Sequence, residues 1–197
     1  MSLFRGIEKL IKFLIGLLIC TGFFAFIGFI VICLVYPIAY YDDIKEFSKK
    51  YDLDVAFVCA VIHTESGFDK SAQSHKGARG LMQIMPDTAK WAVEQMGLED
   101  FDYTQIDKPS VNIEIGCWLL SYLSKQLNND DMLVAAAYNA GIGNVNKWLN
   151  DEEYSDEGGR LHTIPFGETS RYVKKVSNSE KIYKIILRTG LYEIKIN

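Results

Sequence analysis

Glu65-Ser66-Gly67-Phe68-Asp69, then Ser74, then Gly77-Ala78-Arg79-Gly80-Leu81-Met82-Gln83-Ile84-Met85-Pro86 form the least ordinary stretch of this chain, and intrinsic propensity does not explain it. Glycines at 67, 77 and 80 interrupt apolar sequence that would otherwise run on as helix, so they imply backbone conformations or close approaches that a Cβ would forbid. Immediately upstream, residues 54–66 place Val55, Val58, Cys59 and Ile62 at helical spacing, a one-faced apolar stripe with Asp54 positioned to cap its start and Gly67 to end it. Glu65 therefore stands where an apolar helix meets a glycine-rich loop. A carboxyl group there can be partly desolvated and still reach a ligand. Desolvation disfavours the charged form, so such a group keeps its proton to higher pH and can serve as a general acid near neutrality. Taken alone, the same position also suits a surface glutamate at a helix end.

Outward from this stretch, everything after Asp42 reads as a string of helices. Pro86 opens one that Gly97 ends, and Pro109 opens another in which Cys117, Trp118, Leu119, Tyr122 and Leu123 are placed to face a core. The chain turns at residues 128–131. Residues 132–138 form a short Ala-rich helix, residues 144–149 another after Gly143, and residues 168–187 a long terminal one. Residues 150–160, with five acidic side chains and Gly158-Gly159, read as a solvated loop. Strand-like alternation is confined to residues 192–196. The expected fold class is mainly α.

The N-terminus is of another kind. Residues 13–41 contain no charged side chain, a run of 29 built from Leu, Ile, Phe, Val and Gly. About 20 residues cross the hydrocarbon core, whereas the apolar part of a signal peptide is about 7 to 15 residues and ends at a small-x-small site that is missing here. Ile19 and Ile32 precede Cys20 and Cys33 where lipoprotein processing needs a small residue. An uncleaved anchor is the expectation. Arg5, Lys9 and Lys12 against Glu8 lie before the run, and Asp42 and Asp43 follow it, so the N-terminus is expected in the cytoplasm. The chain then divides into a cytoplasmic segment (1–12), an anchor (13–41) and one exterior domain (42–197). Of 197 residues, 49% are apolar and 23% charged, which excludes a disordered or low-complexity chain. The net charge is −4 overall, and 18 Lys and Arg against 24 Asp and Glu give residues 42–197 about −6. No basic stripe is present, so nucleic acid is not an expected partner. Cys59 and Cys117, both in apolar helical sequence, suit either a disulfide or two buried thiols. Three histidines without metal-ligand spacing give no metal site, and no cofactor is expected.

Four separated blocks carry a resemblance. Glu65-Ser66-Gly67-Phe68 with Ser74, the run from Gly77 through Pro86-Asp87-Thr88-Ala89, Ala136-Ala137-Tyr138-Asn139-Ala140-Gly141, and Glu168-Thr169-x-x-Tyr172-Val173 together resemble the soluble lytic transglycosylase (SLT) family, relatives of goose-type lysozyme. The blocks occur in order across residues 48–187. The resemblance implies a lysozyme-like helical fold acting on peptidoglycan at the β-1,4 bond between N-acetylmuramic acid and N-acetylglucosamine. It implies Glu65 as sole acid and base: it protonates the scissile oxygen, then takes the proton of the muramic C6 hydroxyl as that oxygen attacks the anomeric carbon, giving a 1,6-anhydro end.

By the same resemblance Ser74, Gln83 and Asn139 hydrogen-bond the sugar, and Met82 and Met85 wall its faces, although Met82 equally suits core filling. Tyr138 would stand near Glu65, as an orienting hydroxyl, a stacking wall or a core aromatic. Glu168 would line the cleft while also opening the last helix, with Tyr172 one turn further on. Arg79 is open between a structural tether and a contact to a peptide carboxylate. Two rivals remain: a muramidase of this fold in which Asp69 or Asp87 activates water, and a non-catalytic peptidoglycan-binding subunit. The stretch carries no wall-binding repeat, and the anchor is expected to substitute by holding the domain beside the wall at raised effective concentration. Small size and a tether fit service to a cell-envelope machine, whose identity the sequence does not give.

Overall fold

The computed structural model describes residues 2–98, 101–156 and 159–190. It divides into two compact units, Met1–Pro37 and Ile38–Asn197. The first unit is one helix, α1 (Ser2–Val35), with almost every described side chain exposed. Within it, Phe4–Ile32 is long and apolar enough to cross a membrane. Its one hydroxyl-bearing residue in that stretch, Thr21, donates back to the carbonyls of Leu17 and Leu18 at 3.0 and 2.9 Å, so this hydroxyl is satisfied within the helix itself. The helix includes the charged start, where Lys12 bonds Glu8 at 2.6 Å, and stops at Val35, ahead of the boundary expected at Tyr41. Pro37 explains the stop, because it has no N–H to donate and biases Tyr36 away from helical geometry.

The second unit contains α2 (Tyr41–Lys50), α3 (Val55–Ser66), α4 (Pro86–Met96), α5 (Pro109–Gln126), α6 (Asp131–Ala140), α7 (Ile142–Leu149) and α8 (Gly167–Thr189), with a 3₁₀ turn at Tyr103–Asp107. Among the described residues there is no strand, only isolated bridges such as Gln73 to Arg79 and Arg79 to Ile84. The strand expected at residues 192–196 lies outside the described residues. Helix boundaries follow the chemistry of the termini. Asp54 accepts from the N–H groups of Ala56 and Phe57 at 2.7 and 3.3 Å, and Asp130 likewise caps α6 through Met132 and Leu133. Pro86 and Pro109 occupy first-turn positions, and Gly67 and Gly97 end α3 and α4 at φ of 61° and 67°.

Three expectations are corrected. α3 is not one-faced: the seven residues from Ala56 to Ile62 are all buried, at 2% exposure or less, because α2 and α8 both pack against it. On α5 the core face consists of Ile113, Ile115, Cys117, Leu120 and Leu123, whereas Trp118 and Tyr122 stay half-buried and stack on each other at 5.7 Å, with Trp91 of α4 edge-on to both. The acidic loop after α7 is pinned as well as solvated, since buried Ser155 bonds the carbonyl of Leu149 at 2.7 Å. Cys59 and Cys117 are free and fully buried, and burial pushes the Cys59 thiol up to about 12.

Candidate active site

The enclosed helix α3 delivers Glu65 to its C-terminal end, two residues before the left-handed Gly67 turns the chain out into the glycine-rich loop. Ser66 clamps that loop back onto the helix, its hydroxyl donating to the carbonyl of Leu81 at 2.8 Å. From the other side α8 presents Tyr172, 8% exposed, whose hydroxyl donates to Glu65 Oε1 at 2.7 Å. Glu65 itself is half-buried. Burial pushes its carboxyl up to about 7, against the opposing pull of the Tyr172 bond, which favours the ionised form. Tyr138 of α6 is close enough for the charge of Glu65 to add to the effect of burial in holding its phenol well above the ordinary range.

The loop is built on one buried amide. Asn112 of α5, 1% exposed, accepts from the N–H of Met82 at 2.8 Å and donates to the carbonyls of Arg79 and Ile106 at 3.0 and 3.1 Å. Gly80 passes so close that a Cβ there would lie 2.2 Å from Asn112 Nδ2, and its φ of 78° independently favours glycine. Tyr138 completes the frame by donating to the carbonyl of Met82 at 2.7 Å. Sequence reasoning missed Asn112 and also Thr169, whose hydroxyl donates to Asn139 Oδ1 at 2.8 Å. The available signals were an amide inside an apolar helix, and Thr169 within the Glu168-Thr169 motif itself.

The structure thus gathers Glu65, Tyr172, Tyr138 and the backbone of Met82. Met82's own side chain is fully enclosed, with its sulfur against Gly116, so it is core and offers no wall to a ligand. Gln83, at φ 48°, commits its amide nitrogen to the carbonyls of Ala72 and Gly80 at 3.0 and 2.9 Å. Ser74 accepts from the N–H of Ala78 at 3.0 Å and so shapes a turn, with its hydroxyl proton still available. Asn139 is exposed and keeps its amide nitrogen free of Thr169. Met85, 38% exposed, precedes α4, and Glu168 is exposed in the first turn of α8, where the helix dipole favours a carboxylate. Neither bonds Glu65. Arg79 is a tether: it pairs with Asp107 and lies over the Tyr103 ring at 5.7 Å. Among the described residues no group of three or more His, Cys, Asp or Glu could hold a metal ion.

A raised carboxyl at the end of a central buried helix, bonded by a tyrosine from the terminal helix, defines a lysozyme-like helical domain of the lytic transglycosylase type. The sequence model described as Transglycosylase SLT domain matches residues 42–158, and the chain belongs to that family. It is 36% identical over 151 residues to the soluble lytic murein transglycosylase of Salmonella typhimurium, a match covering 76% of this chain and 23% of the relative. It is 27% identical over 179 residues to membrane-bound lytic murein transglycosylase C of Edwardsiella ictaluri, covering 75% of this chain and 47% of that one. Among solved structures, an inactive glutamate-to-glutamine mutant of lytic transglycosylase Slt from Pseudomonas aeruginosa superposes with a TM-score of 0.71 at 36% identity, over 78% of this chain and 25% of that one. The chain spans about a quarter of the length of the soluble relatives it matches.

Proposed function

We propose that this chain is a membrane-anchored lytic transglycosylase that cuts peptidoglycan between N-acetylmuramic acid and N-acetylglucosamine and leaves a 1,6-anhydromuramyl end. The observation that carries the reading is the carboxyl of Glu65, raised to about 7 by burial and oriented by Tyr172, in a domain of the SLT family. Near neutrality it is protonated in a large fraction of molecules and donates to the departing glycosidic oxygen. The carboxylate so formed then removes the proton of the C6 hydroxyl as that oxygen closes on the anomeric carbon. No water enters, and no second carboxylate is needed, unlike in most glycosidases. Asp69 is poorly suited to activating water, since it is exposed and one of its oxygens already accepts from the N–H and hydroxyl of Ser71. Asp87 is exposed in the first turn of α4. The free donor of Asn139, the hydroxyl of Ser74, Gln83 Oε1 and the exposed side of Met85 supply neutral contacts for the sugar, with Glu168 at the rim. α1 anchors the domain with its N-terminus in the cytoplasm and residues 42–197 facing the wall, in a single pass.

The test is mass spectrometry of fragments released from purified peptidoglycan by the full chain in detergent, with Glu65→Gln alongside. Anhydro ends, with a loss of about two to four orders of magnitude in the variant, are expected. Reducing ends throughout would make the enzyme a muramidase. Binding without release of soluble sugar would make it a wall-binding subunit.

A further inference from the structure

The start of α8 holds two side chains that reach across to other helices. Tyr172 donates to Glu65 of α3 at 2.7 Å, and Thr169, three residues earlier, donates to Asn139 Oδ1 of α6 at 2.8 Å. Residues three apart share a helix face and stand about 4.5 Å apart along the axis, so the two bonds lie side by side. On α6, Asn139 follows Tyr138, whose phenol feels the charge of Glu65. The partner of Thr169 is not the usual one. A threonine inside a helix commonly returns its hydroxyl to a carbonyl of its own helix, as Thr21 does to Leu17 and Leu18, Thr64 to Ala60 and Thr189 to Ile186. Thr169, only 2% exposed, gives its proton to a different helix.

A hydroxyl has one proton to give, and an amide side chain has an acceptor end and a donor end. Because Thr169 donates, Asn139 Oδ1 is turned toward α8, and Nδ2 is left on the exposed side of the residue with no partner among the described residues. The reversed amide would make the hydroxyl accept and would strand its proton in an enclosed position, the cost of a buried hydrogen bond left unmade. We infer that Thr169 is a positioning residue, which fixes the Asn139 amide so that a sugar held beside Glu65 meets two N–H donors and no acceptor. The contact then takes only an oxygen with a free lone pair, and it is oriented before substrate arrives. This rests on the reading of Glu65 as a sugar-cleaving site and adds the residue that orients one of its contacts.

The experiment follows cleavage of soluble, uncross-linked peptidoglycan strands by the full chain in detergent, by Thr169→Val, which keeps the shape but removes the proton, and by Thr169→Ser, which keeps the hydroxyl. Thr169→Val is expected to lower kcat/KM about three- to tenfold, the worth of one neutral hydrogen bond, chiefly by raising KM. Thr169→Ser should stay within about twofold of the parent, since its hydroxyl still donates. The alkaline limb of the pH–rate profile should stay in place in both, because the bond from Tyr172 to Glu65 is untouched. In an Asn139→Ala background Thr169→Val should cost nothing further. A shifted limb, a Ser variant as poor as the Val variant, or losses that add in the double variant would each assign Thr169 to the packing of α8 and overturn the inference. A Val variant equal to the parent would overturn it as well. If the parent releases no fragments, the proposed function fails, and the positioning is then read directly from side-chain ¹⁵N relaxation of the Asn139 amide in the full chain. That amide should be ordered in the parent and in Thr169→Ser and mobile in Thr169→Val; equal mobility in the parent and the Val variant overturns the inference.

Discussion

Tyr172 donates its hydroxyl to Glu65 Oε1 across 2.7 Å, joining the last helix to the end of the central one over 107 positions of sequence. The bond opposes its surroundings: burial drives the carboxyl up and the tyrosine draws it back down. Tyr172→Phe should therefore raise the Glu65 pKa further. If protonated Glu65 is the acid, the alkaline limb of the pH–rate profile should move up by a fraction of a unit to about one unit. The maximal rate should fall about tenfold, the worth of one orienting hydrogen bond. A profile whose alkaline limb stays in place would show that the hydroxyl is not coupled to the group that governs turnover.

The same carboxyl sets a stability signature independent of activity. Its folded pKa of about 7 lies above the ordinary value of 4.5, so below pH 4.5 it is neutral in both folded and unfolded chains and costs nothing. Between those values the folded state holds more proton than the unfolded one, and stability falls as pH rises. Above pH 7 the full cost of a desolvated charge is reached, about 3 kcal/mol at 1.36 kcal/mol per unit. Glu65→Gln removes the titration. It should be more stable than the parent at pH 8 by up to that amount and nearly equal at pH 4.5, as denaturant melts at the two pH values would record. A variant less stable at pH 8 would contradict the desolvated carboxyl.

How much of this was legible in the sequence depended on whether the cause was local. Asp54, Gly67, Pro86, Gly97 and Pro109 act on their own neighbours, and each marks a helix end where its chemistry requires it. The placement of Glu65 at an apolar helix end was legible for the same reason. What could not be read is set by elements far apart in the chain. Nothing near Met82 reveals that Gly116 leaves room for its sulfur, which is what decides between the two readings of this side chain, sugar wall or core filling, in favour of the core. Nothing near Gln83 reveals that the carbonyl of Ala72 claims its amide. The stripe on α3 could be read, but not that α2 and α8 leave it no solvent face.

Asn112 is the sharpest of these long-range cases, because one amide supports three backbone groups of the loop region. Asn112→Ala leaves buried donors and acceptors unpaired and should destabilise the protein by about 2 to 4 kcal/mol. Gly80→Ala should cost a similar amount, since its Cβ would meet Asn112 Nδ2 at 2.2 Å in an unfavourable φ. The two share one space. In the double variant the Cβ finds room, so the combined loss should fall short of the sum by about 1 kcal/mol or more, measured by denaturant unfolding. Strict additivity would show that the clash is relieved elsewhere.

Met82 and Gly116 make the corresponding apolar pair, and their coupling reaches the site through the backbone. A Cβ at Gly116 would lie 2.2 Å from Met82 Sδ and 2.7 Å from its Cε, and a fully buried methionine has no solvent side to retreat to. Gly116→Ala should therefore destabilise by about 1 to 3 kcal/mol through overpacking. Met82→Ala should cost about 2 to 5 kcal/mol by leaving a cavity. In the double variant the added methyl partly fills that cavity, so the combined loss should be smaller than the two added together. The Met82 carbonyl also receives the hydroxyl of Tyr138, beside Glu65, so a shift of Met82 moves the frame of the site. Gly116→Ala should consequently lower kcat at temperatures where the protein remains fully folded, and should do so more than a core substitution of equal cost on α5 away from Met82, such as Ile115→Val. Equal effects on turnover would mean that the Met82 to Tyr138 bond holds the fold together without positioning the site.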